Sequence, residues 1–222
     1  MSSYREPVSI ESICAAHKER RAEIRARLSE FRNLWVSGSD ERWWEELVFC
    51  IFTAGASARM GLRSIDAIRP LLKNGRRDQM TRALRRVGAH RFPVERPGYI
   101  VTTRAFLRDH CDMKLREKLL GFPDPIERRD WLAKEASIKG LGYKESSHFL
   151  RNVGFRGYAI LDKHVMRCLA DVRVLDNARP PSTRKAYLAV ESKLKEFSSE
   201  LRIDFDELDL VLWSMKTGEV LK

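Results

Sequence analysis

Cysteine is scarce in this chain and badly placed for cross-linking or metal binding. The 222 residues contain only Cys14, Cys50, Cys111 and Cys168, scattered tens of residues apart. No C-x-x-C pair occurs, which leaves zinc ribbons, thioredoxin-type chemistry and closely spaced iron–sulfur loops without support. Cys14, Cys50 and Cys168 sit among apolar neighbours and are expected to be reduced and structural, acting as small hydrophobes. Long apolar runs are missing too: no stretch approaches the roughly 18 residues needed to cross a bilayer. The opening residues, MSSYREPVSIES, lack a basic-then-apolar leader pattern, so a cytoplasmic location is expected. Strand-like alternation is nearly absent, and neither a solenoid period nor a low-complexity linker appears.

What is abundant is positive charge. Forty-two Lys and Arg face 31 Asp and Glu, a formal net charge of +11. Such an excess steers a protein toward polyanions, of which nucleic acid is the commonest. Thermophilic and ribosome-associated proteins can be equally basic, so charge alone leaves the partner open. With 43% apolar and 33% charged residues, the composition is that of a folded protein rather than a disordered one.

Helical periodicity dominates the rest. Ile24, Leu28, Phe31 and Trp35 recur at i, i+4, i+7 and i+11, on one face of a long first helix. Ser37, Gly38, Ser39 and Asp40 read as a turn into a second helix. That helix carries Trp43, Trp44, Leu47, Val48, Ile51 and Phe52 around most of its circumference, the pattern of a central core helix. Leu62, Ile65, Ile68 and Leu71 mark a third, and further helices are predicted over 78–87, 97–108, 114–120, 126–137, 182–197 and 205–215. For the last, Asp204 is placed as N-cap with Glu207 completing a capping-box arrangement, and Gly218 as the stop. The fold class is all-α, with about ten short helices.

One passage stands apart: Ile138-Lys139-Gly140-Leu141-Gly142-Tyr143-Lys144-Glu145-Ser146-Ser147-His148-Phe149-Leu150-Arg151-Asn152. A helix ends, a Gly-apolar-Gly turn follows, and a new helix begins near Tyr143. Glycines there can adopt positive φ and leave the turn's amides open at a helix N-terminus, a geometry that binds phosphate through N–H groups and the helix dipole. An ordinary glycine-containing connection between two helices would read the same way. Lys144 falls in the first turn of the new helix, where the dipole, any neighbouring cation and partial burial favour a free amine, which can form a Schiff base with a sugar carbon. A surface lysine beside a DNA-binding turn fits that position equally. Further on, Ala159-Ile160-Leu161-Asp162-Lys163-His164-Val165 runs apolar residues into a carboxylate at a helix N-cap. Asp162 is either that cap alone or a carboxylate held near Lys144.

Taken together, K-G-h-G-Y-K-E-x-S-H-F-L-R-N followed by I-h-D-[RK]-H resembles the archaeal and bacterial Ogg-type family of 8-oxoguanine DNA glycosylase/lyases, within the helix-hairpin-helix superfamily. Leu47-Val48-Phe49-Cys50-Ile51-Phe52-Thr53-Ala54 is similar to that family's central helix. Leu208-Asp209-Leu210, Trp213, Thr217-Gly218 and Val220-Leu221-Lys222 are similar to its C-terminus. The stretch 88–92 is one residue longer than the family pattern, and Gly55 departs from it.

The resemblance implies a single glycosylase domain over 1–222, of two helical subdomains flanking a DNA-binding cleft, with the hairpin at about 138–153. It implies that Lys144 attacks C1′ of the damaged nucleotide and that Asp162 assists the nucleophile and stabilises the developing oxocarbenium. Phe92 and Trp213 occupy positions that sandwich the flipped base, and Lys222 one that tells 8-oxoguanine from guanine. Gly140, Leu141, Gly142 and His164 are candidate phosphate contacts, although His164 fits a solvated helix residue as well. His148 is placed behind the site, and Arg151 as either a phosphate contact or a structural ion pair. The implied activity is excision of 8-oxoguanine followed by β-elimination, without metal or organic cofactor. The implied setting is double-stranded DNA containing the lesion, a nucleoid-associated monomer and no membrane. The alternatives are a non-catalytic helix-hairpin-helix module, which would not require Lys144 and Asp162 together, and a related glycosylase for another lesion.

Overall fold

The computed structural model describes residues 7–221, and among these there are eleven α-helices, one 3-10 turn and no strand. No helix among the described residues is long and apolar enough to cross a membrane. The chain divides into two compact units, one of residues 32–155 and one of residues 1–31 with 156–222. The boundary falls inside the first helix, α1 (Ile10–Ser37).

The unit of 32–155 is built around α2 (Asp40–Thr53), in which every residue from Leu47 to Thr53 is buried together with Trp43, Trp44 and Glu46. A helix apolar nearly all round must be enclosed, and each large side chain buried there contributes about 1.5–3 kcal/mol. Four helices enclose it: α3 (Ala58–Ile68), α5 (Glu95–Cys111), α6 (Leu115–Leu120) and α8 (Tyr143–Asn152). Between them run α4 (Arg77–Arg86) and α7 (Pro125–Lys134). Trp44 Nε1 donates to the Leu72 carbonyl at 3.0 Å, satisfying the indole in the core. Arg104 on α5 donates to the carbonyls of Leu72 and Gly75 at 3.0 and 2.7 Å, fixing the segment after the 3-10 turn Arg69–Leu71.

The second unit packs α9 (Lys163–Asp171) and α10 (Arg184–Leu201) against α11 (Phe205–Thr217). The first turns of α1 belong here as well: His17 Nε2 lies 2.6 Å from Glu207, Arg25 Nε donates to the same carboxylate at 2.6 Å, and Arg20 donates to the Ser214 carbonyl. Asp204 caps α11 as expected, accepting from the N–H groups of Asp206 and Glu207. Glu207 does not complete a capping box; its carboxylate serves α1 instead. Burial pushes Glu207 up, but the hydrogen bonds from His17 and Arg25 outweigh it and hold the carboxyl below its ordinary value. Gly218 ends α11 at φ 84°, the left-handed stop the sequence predicted.

All four cysteines are free thiols. Cys50 and Cys168 are buried, but Cys14 is exposed on the outer face of α1, so its expected structural role is not met.

Candidate functional site

The hairpin is formed by α7, a connection over 135–142, and α8. The two helices are clamped to one another. Arg129, 1% exposed, donates to Ser147 Oγ at 3.2 Å and stacks toward the Tyr143 ring, while Tyr143 Oη donates to Asp130 at 3.0 Å. The connection is pinned from below by Lys139 N–H, which donates to Thr103 Oγ1 on α5 at 2.9 Å.

The two glycines of the turn have different jobs. Gly140 sits at φ +81°, and a Cβ there would lie 2.8 Å from Tyr99 Cδ2 and 3.2 Å from an Arg96 nitrogen. Both conformation and space demand glycine. Gly142 adopts ordinary extended backbone, φ −103°, as N-cap of α8. It does not use the positive φ available to it. Its N–H is also occupied, donating to Glu145 Oε2 at 3.2 Å. Leu141 between them is buried, so this residue contributes its backbone and not its side chain to any ligand.

Lys144 is part-exposed in the first turn of α8, 28% by side chain, with Nζ 2.9 Å from Glu145 Oε1. Its charged neighbour is thus a carboxylate rather than a cation. Beside the turn, Arg77, Arg96, Tyr99, Thr102, Lys139 and Gly140 line an open cleft. Three cations and the acidic Glu95 line it at the edge of the hairpin.

Phe92 lies in the same unit, on the loop that leads into α5. Its ring is flanked by Arg91 and Arg96, whose guanidinium carbons sit 4.5 and 5.4 Å from the centroid. His90 fixes the loop: its Nε2 meets the Phe52 carbonyl at 2.8 Å, and its Nδ1 accepts the Phe92 N–H at 3.0 Å. That pairing selects the Nε2–H tautomer. Burial is the main cause that holds His90 below its ordinary value, and Arg96 and Arg91 act the same way against the Phe52 bond. Gly55, the departure from the family pattern, takes φ +70° with Arg91 Nη2 3.3 Å from where a Cβ would be. His148 is buried edge-on against Phe49, 5.6 Å between centroids. Arg151 is 4% exposed and donates to the amide oxygen of Asn152 at 3.3 Å.

The other expected residues lie in the second unit. Residues 158–161 are buried and belong to no helix, and among the described residues no strand is present to satisfy their backbone. Side chains do: Ala159 N–H donates to Glu191 at 2.9 Å, Ile160 N–H to Asp209 at 3.0 Å, and Leu161 N–H to Tyr187 Oη at 3.3 Å. Upstream, Arg156 bridges Asp204 and Asp206, each at 2.6 Å. This scaffold delivers Asp162 to the start of α9, where Oδ1 accepts from His164 and Val165 N–H at 2.8 and 2.9 Å. His164 follows, half-buried. Trp213, also half-buried, is on α11. Lys222 lies outside the described residues. The residues that sequence reasoning passed over are Glu145, His90 and Arg96; only Glu145, three residues after an N-cap glycine, carried a legible signal.

Comparison with known proteins adds to this geometry. The Ogg-HhH family model, described as 8-oxoguanine DNA glycosylase, matches residues 24–203. A Korarchaeum cryptofilum protein named 8-oxoguanine DNA glycosylase/AP lyase is 38% identical over 199 residues, 90% of either chain. A Fusobacterium nucleatum protein of the same name is 34% identical over 209 residues, 93% of this chain and 94% of its own. The fold is similar to the crystal structure of Methanocaldococcus jannaschii 8-oxoguanine glycosylase/lyase in complex with a 15mer DNA containing 8-oxoguanine. The TM-score is 0.86 at 34% identity, covering 96% of this chain and 99% of that one. This chain belongs to the 8-oxoguanine DNA glycosylase family and has its all-helical, helix-hairpin-helix fold.

Proposed function

We propose that this protein removes 8-oxoguanine from double-stranded DNA and then cuts the strand, with Lys144 as the nucleophile. The observation that carries the reading is a lysine in the first turn of the second hairpin helix, in a chain whose family match runs over residues 24–203.

The target base must leave the stack before its glycosidic bond can be reached, which costs a few kcal/mol. The turn at Gly140, Leu141 and Gly142 and the cleft of Arg77, Arg96 and Lys139 supply amides and cations for the backbone, offsetting part of that cost. His164, at the start of α9, is assigned a further phosphate. Lys144 Nζ, as the free amine, attacks C1′; the bond from C1′ to the base breaks and the base departs with its electron pair. Opening of the sugar ring leaves an iminium between Nζ and C1′. Loss of a C2′ proton then expels the 3′ oxygen, breaking the phosphodiester, and hydrolysis of the imine returns Lys144. Asp162 counters the positive charge that develops as the base leaves. Phe92 and Trp213 hold the extruded base, and Lys222 discriminates it from guanine. The chain acts as one glycosylase domain, as a monomer and without a cofactor, in the cytoplasm at the nucleoid.

The test is end-labelled duplex DNA with one 8-oxoguanine, run beside the same duplex with guanine. Cleavage confined to the damaged strand, leaving a 3′ unsaturated aldehyde, is the expected product. Tight binding without cleavage of either duplex would favour the non-catalytic module, and cleavage only at another lesion would move the specificity.

A further inference from the structure

Lys144 and Glu145 are consecutive, and consecutive helical side chains point roughly 100° apart rather than at each other. Here they meet, Nζ to Oε1 at 2.9 Å. The cause is the end of the helix. Glu145 turns back toward the N-cap, where its second oxygen accepts the Gly142 N–H at 3.2 Å. One carboxylate therefore spans the amide of the turn and the amine of Lys144, and it is mostly sheltered, 14% exposed. Arg96, from α5, adds a second cation whose field reaches Glu145.

We propose that Glu145 is a positioning residue that latches Lys144 in the DNA-free protein, and that a backbone phosphate arriving at the turn opens the latch. The inference rests on the reading of Lys144 as nucleophile. A carboxylate on the N-terminal amide of a helix stands where an incoming phosphate would stand, since both are anions drawn by the same N–H and the same dipole. The two compete for Gly142. When phosphate takes the amide, Glu145 loses the anchor that aligns it with Lys144, and the lysine is free to extend toward the sugar. The nucleophile is thus restrained until the turn holds a DNA strand.

The test modifies Lys144 with acetic anhydride in the DNA-free protein at one fixed pH, read by peptide mass spectrometry, with Lys139 as internal reference. Glu145→Gln keeps the length and an acceptor for Gly142 but removes the charge. Glu145→Asp keeps the charge but falls a methylene short of Lys144. Both are expected to raise the acetylation rate of Lys144 about two- to fivefold, the worth of one ion pair, with Lys139 unchanged. Glu145→Gln should also bind undamaged duplex about two- to fivefold more tightly, because phosphate no longer displaces a charge. Acetylation of Lys144 at the wild-type rate in both variants would overturn the latch. Faster acetylation with unchanged binding would overturn the phosphate's part in it. Neither readout needs glycosylase activity, so an inactive Lys144 would be detected separately, by loss of covalent trapping on DNA.

Discussion

The carboxylate of Asp209 accepts the backbone N–H of Ile160 at 3.0 Å, two residues before Asp162. Asp209 is 1% exposed, so a buried acidic side chain takes the place of a strand partner for this amide. Its neighbours Glu191 and Tyr187 treat Ala159 and Leu161 in the same way. Asp162 is positioned by this set and not by its own helix alone.

Replacing Asp209 by Ala strands a buried N–H, at a cost of about 1–3 kcal/mol. Chemical denaturation should show that loss. The variant should also lose strand cleavage out of proportion to DNA binding, because Asp162 loses its support. Full activity in a protein destabilised by that amount would separate the scaffold from the site.

The glycines of the turn make a paired prediction. Gly140→Ala meets both a left-handed backbone, worth about 1–2 kcal/mol against a side chain, and the Tyr99 ring 2.8 Å from the new Cβ. Gly142→Ala meets neither, with ordinary φ and Glu145 Oε2 at 3.4 Å. Thermal melting should therefore place Gly140→Ala well below wild type and Gly142→Ala close to it, with DNA binding weakened chiefly in the former. Equal losses would mean that the turn does not adopt this geometry.

His90 makes stability depend on pH. Its pKa in the folded state lies below the ordinary 6.5, so below that value the unfolded chain binds more protons than the folded one. The contribution is complete above about pH 6.5 and is lost as the pH falls toward the folded value, by at most about 1.4 kcal/mol per pH unit. Denaturation at pH 7.5 and 5.5 should show a drop for the wild type that His90→Gln reduces. An identical drop in both would assign it elsewhere.

Much of this architecture was legible. The all-round apolar pattern of α2, the Asp204 and Asp162 caps and the Gly218 stop all follow from local chemistry, and each stands where it was expected. What escaped depends on partners far along the chain. The local spacing of Glu207 points to half of a capping box, while its actual partners His17 and Arg25 lie more than 180 residues away. The buried run before Asp162 has no periodicity to betray it, since its bonds go to side chains of α10 and α11. Cys14 has apolar neighbours in sequence but projects from the outer face of α1. Lys144 and the glycine turn are legible because their chemistry is local; the spacing of Glu145 from the N-cap glycine is legible too, but its second oxygen meeting Lys144 requires side-chain positions.

The cleft beside the hairpin makes an electrostatic prediction. Arg77→Ala and Lys139→Ala should each weaken binding to damaged and undamaged duplex alike, and each should reduce the slope of log affinity against log salt by about one. A change confined to the damaged duplex would place these side chains at the base instead of the backbone.

The most direct measurement is borohydride trapping on duplex DNA containing one 8-oxoguanine, comparing wild type with Lys144→Gln and Asp162→Asn. The account predicts a covalent protein–DNA adduct for the wild type, none for Lys144→Gln, and a reduced yield for Asp162→Asn. An adduct of undiminished yield from Lys144→Gln would contradict it, because the Schiff base would then be formed by another amine.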